Sequence, residues 1–288
     1  MLVLAIYNLK GNQALLARQL AAILHRTVYE AGSRVRAPGG GPSVIASFAE
    51  PRAAHQTVAA LEAGGFDVLL LDDGDLETDE RRFVVRRFEL GDEGMSLEAR
   101  PAARSAAGAA AAAAATPGVR PEPGPATAGV PLTGTSLAAP YAGIDLALRG
   151  VRIVTRQPAV PATTRRFSLA RAALSGGLLL TKAVRAARQP VSEEREGFLH
   201  LYGQGLPPLV WRETEVDYRS LGGALQPSRH ANFAHLVGEL RRRCPRATWD
   251  ERLATRAGQA QLLGAALSPG EHLDVAISVL AGALQVRL

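Results

Sequence analysis

Apolar residues recur along this chain at two spacings, and the changes between them mark out its elements. LVLAIYNL (2–9) is a continuous apolar run and predicts a strand. Behind Asn12, a residue suited to capping, Leu16, Leu20, Ile23 and Leu24 fall on one helical stripe. Val28, Ala31 and Val35 align on a second, shorter helix. SVIASF predicts a strand, and Pro51 then opens a helix with Ala54, Val58 and Leu61 inward, which Gly64-Gly65 ends. DVLLLD (67–72) is apolar on both faces, as a central strand is. Residues 1–78 therefore read as a βααβαβ module, expected to fold as a unit.

The second half begins with FVVRRFEL and MSLEAR, joined by GDEG as a β-hairpin. In PYAGIDLALRGVRIVTR, Ile144, Leu146 and Leu148 alternate with Asp145, Ala147 and Arg149, and Val151 and Ile153 resume the alternation after Gly150. That glycine predicts a tight turn or a bulge, with two antiparallel strands around it. FLHLYGQG and LPPLVWRE add to a mainly antiparallel sheet. Ser228 caps a helix whose Phe233, Leu236, Val237 and Leu240 share a face. Arg241–Arg243 suit its C-terminal dipole, and Cys244-Pro245 ends it. Thr248 with Glu251, and Ser268 with Pro269 and Glu271, form capping-box arrangements that predict two final helices. Leu273, Ala276, Ile277, Leu280 and Leu284 stripe the last one, which packs on the body or on a second copy. Residues 101–138 are rich in alanine, proline and glycine and predict a flexible loop inserted in the sheet.

The expected fold is α+β. It comprises the module at 1–78, a sheet-plus-helix body at 82–247 interrupted at 101–138, and a C-terminal helical pair at 248–288.

VYEAGSRVR and AEPRAAHQTVAALEAGGFDVLLL resemble the second helix and the final helix and strand of the ribosomal stalk protein's C-terminal domain, a fold shared with the Clp protease adaptor. The adaptor resemblance implies peptide docking. Where that family carries an acidic Asn-Asp-Asp segment, however, this chain reads Asn8-Leu9-Lys10-Gly11-Asn12, so recognition of a peptide's N-terminus does not carry over. VPLTGTSLAAPYAGID is similar to the "IPYADI" strand of bacterial pleckstrin-homology-like domains, which implies such a fold over residues 83–244 and no transferable lipid-binding residue.

Charge sharpens the picture. The formal net charge is +6, unevenly spread: residues 1–80 hold six basic and ten acidic groups, and residues 146–192 hold nine basic and none acidic. Lys10 and Lys182 are the only lysines, a skew toward arginine that GC-rich coding also produces. Asp72 to Glu80 is acid-rich and predicts a solvated linker. The basic segment has two readings: a solvated arginine face, or a cationic surface for anionic lipid or nucleic-acid phosphate. Its candidate anion-binding residues are Arg165, Arg166, Lys182, Arg185 and Arg188, of which the last three draw together if this part is helical.

Catalytic and cofactor patterns are lacking. None of the six histidines stands at a metal-ligand spacing from another His, Cys or carboxylate. LYGQG and APGGGP do not join a strand to a helix as phosphate loops do, and no G-x-S-x-G elbow occurs. Cys244, the only cysteine, is either a buried apolar residue or a thiol activated by nearby arginines. The N-terminus is apolar but lacks a basic n-region and is too short for a signal peptide's apolar region and cleavage site. These patterns predict a non-catalytic interaction protein of a bacterial cytoplasm, an adaptor or scaffold without cofactor. Its partner is another protein, with homo-oligomerisation through the C-terminal helix and contact with anionic surfaces as further options.

Overall fold

The computed structural model describes residues 1–101, 135–156, 164–167, 181–184 and 192–286. Most of the inserted 101–138 segment, together with Arg185 and Arg188, lies outside the described residues. The described chain is α+β. Residues 1–152 and 197–288 form one compact unit and residues 153–196 a second.

The first elements follow the expected order: β1 (Leu2–Tyr7), α1 (Gln13–Leu24), α2 (Val28–Val35), β2 (Ser43–Phe48), α3 (Pro51–Ala63) and β3 (Asp67–Leu71). Local chemistry sets the helix starts. Asn12 accepts hydrogen bonds from the backbone N–H groups of Ala14 and Leu15, at 2.9 and 3.3 Å. Thr27 and Glu30 complete a reciprocal capping box at α2. The strands pair antiparallel in the order β2-β1-β3.

Strand β1 is buried on both sides because helices cover both faces of this small sheet. Leu4 and Ile6 pack with Leu20, Ala31 and Leu61 of the three N-terminal helices. Val3 and Ala5 turn the other way, onto the chain's last helix, α6 (Leu273–Gln285), where Ala276, Val279 and Leu280 belong to the same core. Gly282 lets α6 come close, since a Cβ there would lie 3.1 Å from the Leu69 side chain. This core also takes in Leu146, Leu148 and Phe198 from the larger sheet, so it spans the expected boundary at residue 78.

The larger sheet has seven strands. In chain order its elements are β4 (Phe83–Leu90), β5 (Gly94–Pro101), β6 (Thr135–Pro140), β7 (Ile144–Arg156), β10 (Ser192–Gly203), β11 (Leu209–Arg212) and β12 (Thr248–Leu253). Between β7 and β10 come β8 (Thr164–Phe167) and β9 (Thr181–Val184), a separate antiparallel pair. The spatial order is β12-β7-β10-β11-β4-β5-β6. The sheet is mixed rather than antiparallel throughout, because β11 pairs with β4, and β12 with β7, in parallel. Helix α4 (Arg229–Arg243) closes one face. Ser228 caps it by accepting from the Ala231 N–H, and Phe233, Leu236, Val237 and Leu240 enter the core as expected.

Three expectations are corrected. Gly150 makes no turn and does not separate two strands, since β7 runs through it as one strand of 13 residues; the bulge alternative has support, because the register with β12 shifts where Leu253 pairs with Gly150. A Cβ at this position would lie 2.1 Å from the Phe198 ring, so the glycine makes room for that side chain. Thr248–Leu253 is a strand, not a helix start: Thr248, Trp249 and Asp250 pair with Leu146, Ala147 and Leu148, and this ladder prevails over the local capping pattern. Helix α5 (Arg256–Leu263) is capped instead by Thr255. Ser268 likewise does not cap α6, which starts at Leu273 without a side-chain cap.

A candidate docking surface on the N-terminal helices

Helix α2 has one buried face, formed by Ala31, Gly32 and Val35. Val28 was expected to join it. At the first position of the helix it instead stays 51% exposed, and its neighbour Tyr29 is 82% exposed. Leu15 of α1 adds a third large apolar side chain, 55% exposed. An exposed apolar side chain beside a concave apolar surface marks an interaction site more than scattered exposed residues do.

Beside Tyr29 opens a cleft of about 250 Å³, walled by α2, β2 and residues 263–266. Leu24, Val44, Ile45 and Leu263 make it apolar. Two guanidinium groups line it, Arg26 and Arg34. Arg34 is half-buried, and among the described residues its guanidinium donates a single hydrogen bond, a long 3.5 Å contact to the Gln261 carbonyl. Burial lowers its pKa from the ordinary arginine value. Among the described residues no carboxylate stands within ion-pair distance of Arg26 or Arg34. Glu30 is near enough to feel Arg26, but both the backbone N–H and the hydroxyl of Thr27 donate to its carboxylate, at 3.0 and 2.8 Å. Gly264 completes the wall in a left-handed conformation, φ 77°; a Cβ there would lie 2.8 Å from Arg34 Nη1 and 3.0 Å from the Val44 carbonyl.

A wider groove of about 880 Å³ crosses β4, β5 and β6 and differs in charge. Its arginines have carboxylate partners. Arg87 pairs with Glu98 at 3.3 Å and Asp217 at 4.0 Å, and Arg219 with Asp217 at 3.8 Å.

A third polar cluster is internal. The acid-rich segment after β3 is only partly the solvated linker expected from its charge: Asp72, Asp73 and Asp75 are exposed, but Glu77 and Asp79 answer buried arginines. Arg82, 2% exposed, donates to Asp274 of α6 at 2.6 Å and to Asp79 at 3.3 Å. Arg212 donates to Glu215 at 3.1 Å and also to Asp79. Burial opposes ionisation of Asp79, yet the Arg212 and Arg82 guanidiniums hold its pKa below the usual value. Tyr202 donates to Glu77, whose pKa is raised by burial. His200 Nδ1 lies 3.3 Å from the Tyr202 hydroxyl. Since Tyr202 gives its one proton to Glu77, this contact requires His200 Nδ1–H to donate. Burial, then the charges of Arg82, Arg212 and Arg152, push the His200 pKa well below the ordinary histidine value. These groups bind one another and fasten the segment after β3 to β10, β11 and α6.

Of the five anion-site candidates, Arg165 and Arg166 lie on β8 and Lys182 on β9. The register sets Arg166 opposite Lys182 and Arg165 opposite Ala183. Lys182 is thus in a strand rather than a helix, and Arg185 and Arg188 lie outside the described residues. Cys244 is 1% exposed, and burial raises its thiol pKa to about 11, which makes it a buried apolar residue and not an activated thiol. Among the described residues no three His, Cys, Asp or Glu side chains are grouped to hold a metal ion. No helix among them is long and apolar enough to cross a membrane.

The α2 surface escaped the sequence reading because Val28 fits the helical stripe. The one signal was Tyr29, an aromatic residue off that stripe. The cleft itself depends on residues 263–266, far away in sequence. No family profile, characterised protein or solved structure compared with the chain matches it.

Proposed function

We propose that the chain is a non-catalytic protein-interaction module, an adaptor or scaffold of a bacterial cytoplasm. One observation carries this reading: Tyr29, next to the exposed Val28, stands largely exposed at an apolar cleft. The stalk- and adaptor-like order of β1 to β3 supports it. The test is affinity capture with the full chain and with a Leu15→Ser, Val28→Thr, Tyr29→Ala variant. A discrete protein retained in near-stoichiometric amount by the wild type and lost by the variant is expected. Equal retention by both, or none by either, contradicts the reading.

A second reading, peripheral binding to anionic surfaces through residues 149–188, is favoured by the opposition of Arg166 and Lys182 across β8 and β9. Sedimentation with phosphatidylserine vesicles, and duplex-DNA binding, each at low and physiological salt, test it. Arg166→Gln with Lys182→Gln should reduce whichever binding occurs.

A further inference from the structure

We propose that the cleft between α2, β2 and residues 263–266 docks an acidic peptide segment carrying a large apolar side chain. This rests on the interaction-module reading and names the partner's chemistry.

The apolar part of the ligand follows from the walls. Val44, Ile45 and Leu263 form an apolar lining, and Tyr29 stands at the cleft with most of its surface free. An exposed tyrosine next to a concave apolar surface offers contact area at small conformational cost, which is why tyrosines recur at binding hot spots. The volume of about 250 Å³ holds one or two side chains, not a folded domain or a large cofactor.

The acidic part follows from charge. Arg34 has given up much of its hydration and, among the described residues, its guanidinium donates only one long hydrogen bond, to a carbonyl. A partly desolvated guanidinium without a carboxylate is an open demand for one, and arginine meets carboxylates bidentately. Arg26 adds a second positive charge on the same cleft. The extended shape follows from the sheet: β2 is an edge strand, paired only with β1 among the described residues, and its Val44 and Ile45 line the cleft. Peptides that add to a strand edge use backbone hydrogen bonds for affinity and side-chain pockets for selection.

The test uses the full chain and fluorescein-labelled octapeptide pools built from Asp, Glu, Leu, Phe and Gly. Matched pools replace the acids by Gln or by Lys, and the readout is fluorescence anisotropy. Saturable binding of the acidic pool, at least about tenfold tighter than the Gln pool, is expected. Arg34→Gln with Arg26→Gln should abolish that preference, and Tyr29→Ala should weaken all binding. Arg52→Gln, which removes a charge outside the cleft, should leave it intact. Arg34→Lys retains charge without bidentate geometry and should fall between; circular dichroism confirms that each variant is folded. Equal affinity for the acidic and Gln pools overturns the proposal, as does an equal loss in Arg52→Gln. Concentration-dependent dimerisation abolished by the cleft variants also overturns it, in favour of a second copy as occupant. Any of these failures, with partner capture by the full chain unaffected, refutes the cleft and leaves the module reading standing.

Discussion

Tyr202 donates its hydroxyl proton to Glu77 across 2.8 Å, joining β10 of the large sheet to the segment that leaves the small one. With Arg82 bound to Asp274, it fixes the path between the two sheets. Tyr202→Phe leaves the Glu77 carboxylate with one donor fewer in a partly buried place. A hydrogen bond to a charged group contributes about 1.5–3 kcal/mol, so the variant should unfold at lower urea concentration at pH 7 by that order. An unchanged midpoint would show that water replaces the hydroxyl.

Acid should destabilise the fold through His200. Its folded pKa lies well below 6.5, so as pH falls below that value the unfolded chain takes up a proton that the folded chain refuses, and stability is lost. Glu77 works in the opposite sense: its raised pKa gives a contribution present below about 4.5 and lost as pH rises. Below about pH 6.5 the two effects oppose one another, and comparison with a His200 variant isolates the histidine's part. Between about pH 6.5 and 5, urea midpoints should fall more in the wild type than in His200→Asn, whose side chain can keep the contact with Tyr202. Parallel pH profiles would contradict this.

Gly150→Ala should be costly. Its Cβ would lie 2.1 Å from the Phe198 ring, deep in the shared core. Overpacking of this kind costs about 1–3 kcal/mol. At roughly 2–4 °C per kcal/mol for a chain of this size, differential scanning calorimetry should show a clear fall in Tm. Adding Phe198→Leu should restore part of it. No fall in Gly150→Ala would mean that the strand shifts freely.

Gly150 also shows where sequence reading stops. The strand and helix periods of β1 to β3, α4 and α6 were legible because they arise from local alternation. The parallel pairing of β12 with β7, the Phe198 contact and the Arg82–Asp274 ion pair join residues far apart in the chain, and no local pattern encodes them. The candidate cations were legible as charge, but the strand at Thr181–Val184 was not. Neither was the cleft beside Tyr29, whose walls come from three separate stretches.

Residues 1–78 expressed alone should not reach a stable fold, although their element order looks complete. Val3, Ala5, Val44 and Leu71 would lose Ala276, Leu280 and Phe198 and face water. Poor amide dispersion with binding of a hydrophobic dye is expected. A dispersed, monomeric spectrum would instead support the expected domain boundary at residue 78.

Replacing residues 102–134 by a short Gly/Ser turn should leave the fold intact. Ala99 of β5 pairs with Thr135 of β6, so the two strand ends are already adjacent. Closing a shorter loop changes chain entropy by only about 0.6 kcal/mol per halving of its length. A Tm lowered by more than several degrees would count against this.

The proposed role is tested most directly by photo-crosslinking in the source cells, with a benzophenone amino acid placed at position 29, 52 or 166 of the full chain. Discrete polypeptide adducts from position 29, lost on Arg34→Gln and missing from position 52, are the result predicted. Adducts to lipid or nucleic acid from position 166, with none from position 29, would contradict the account and transfer the function to the basic segment.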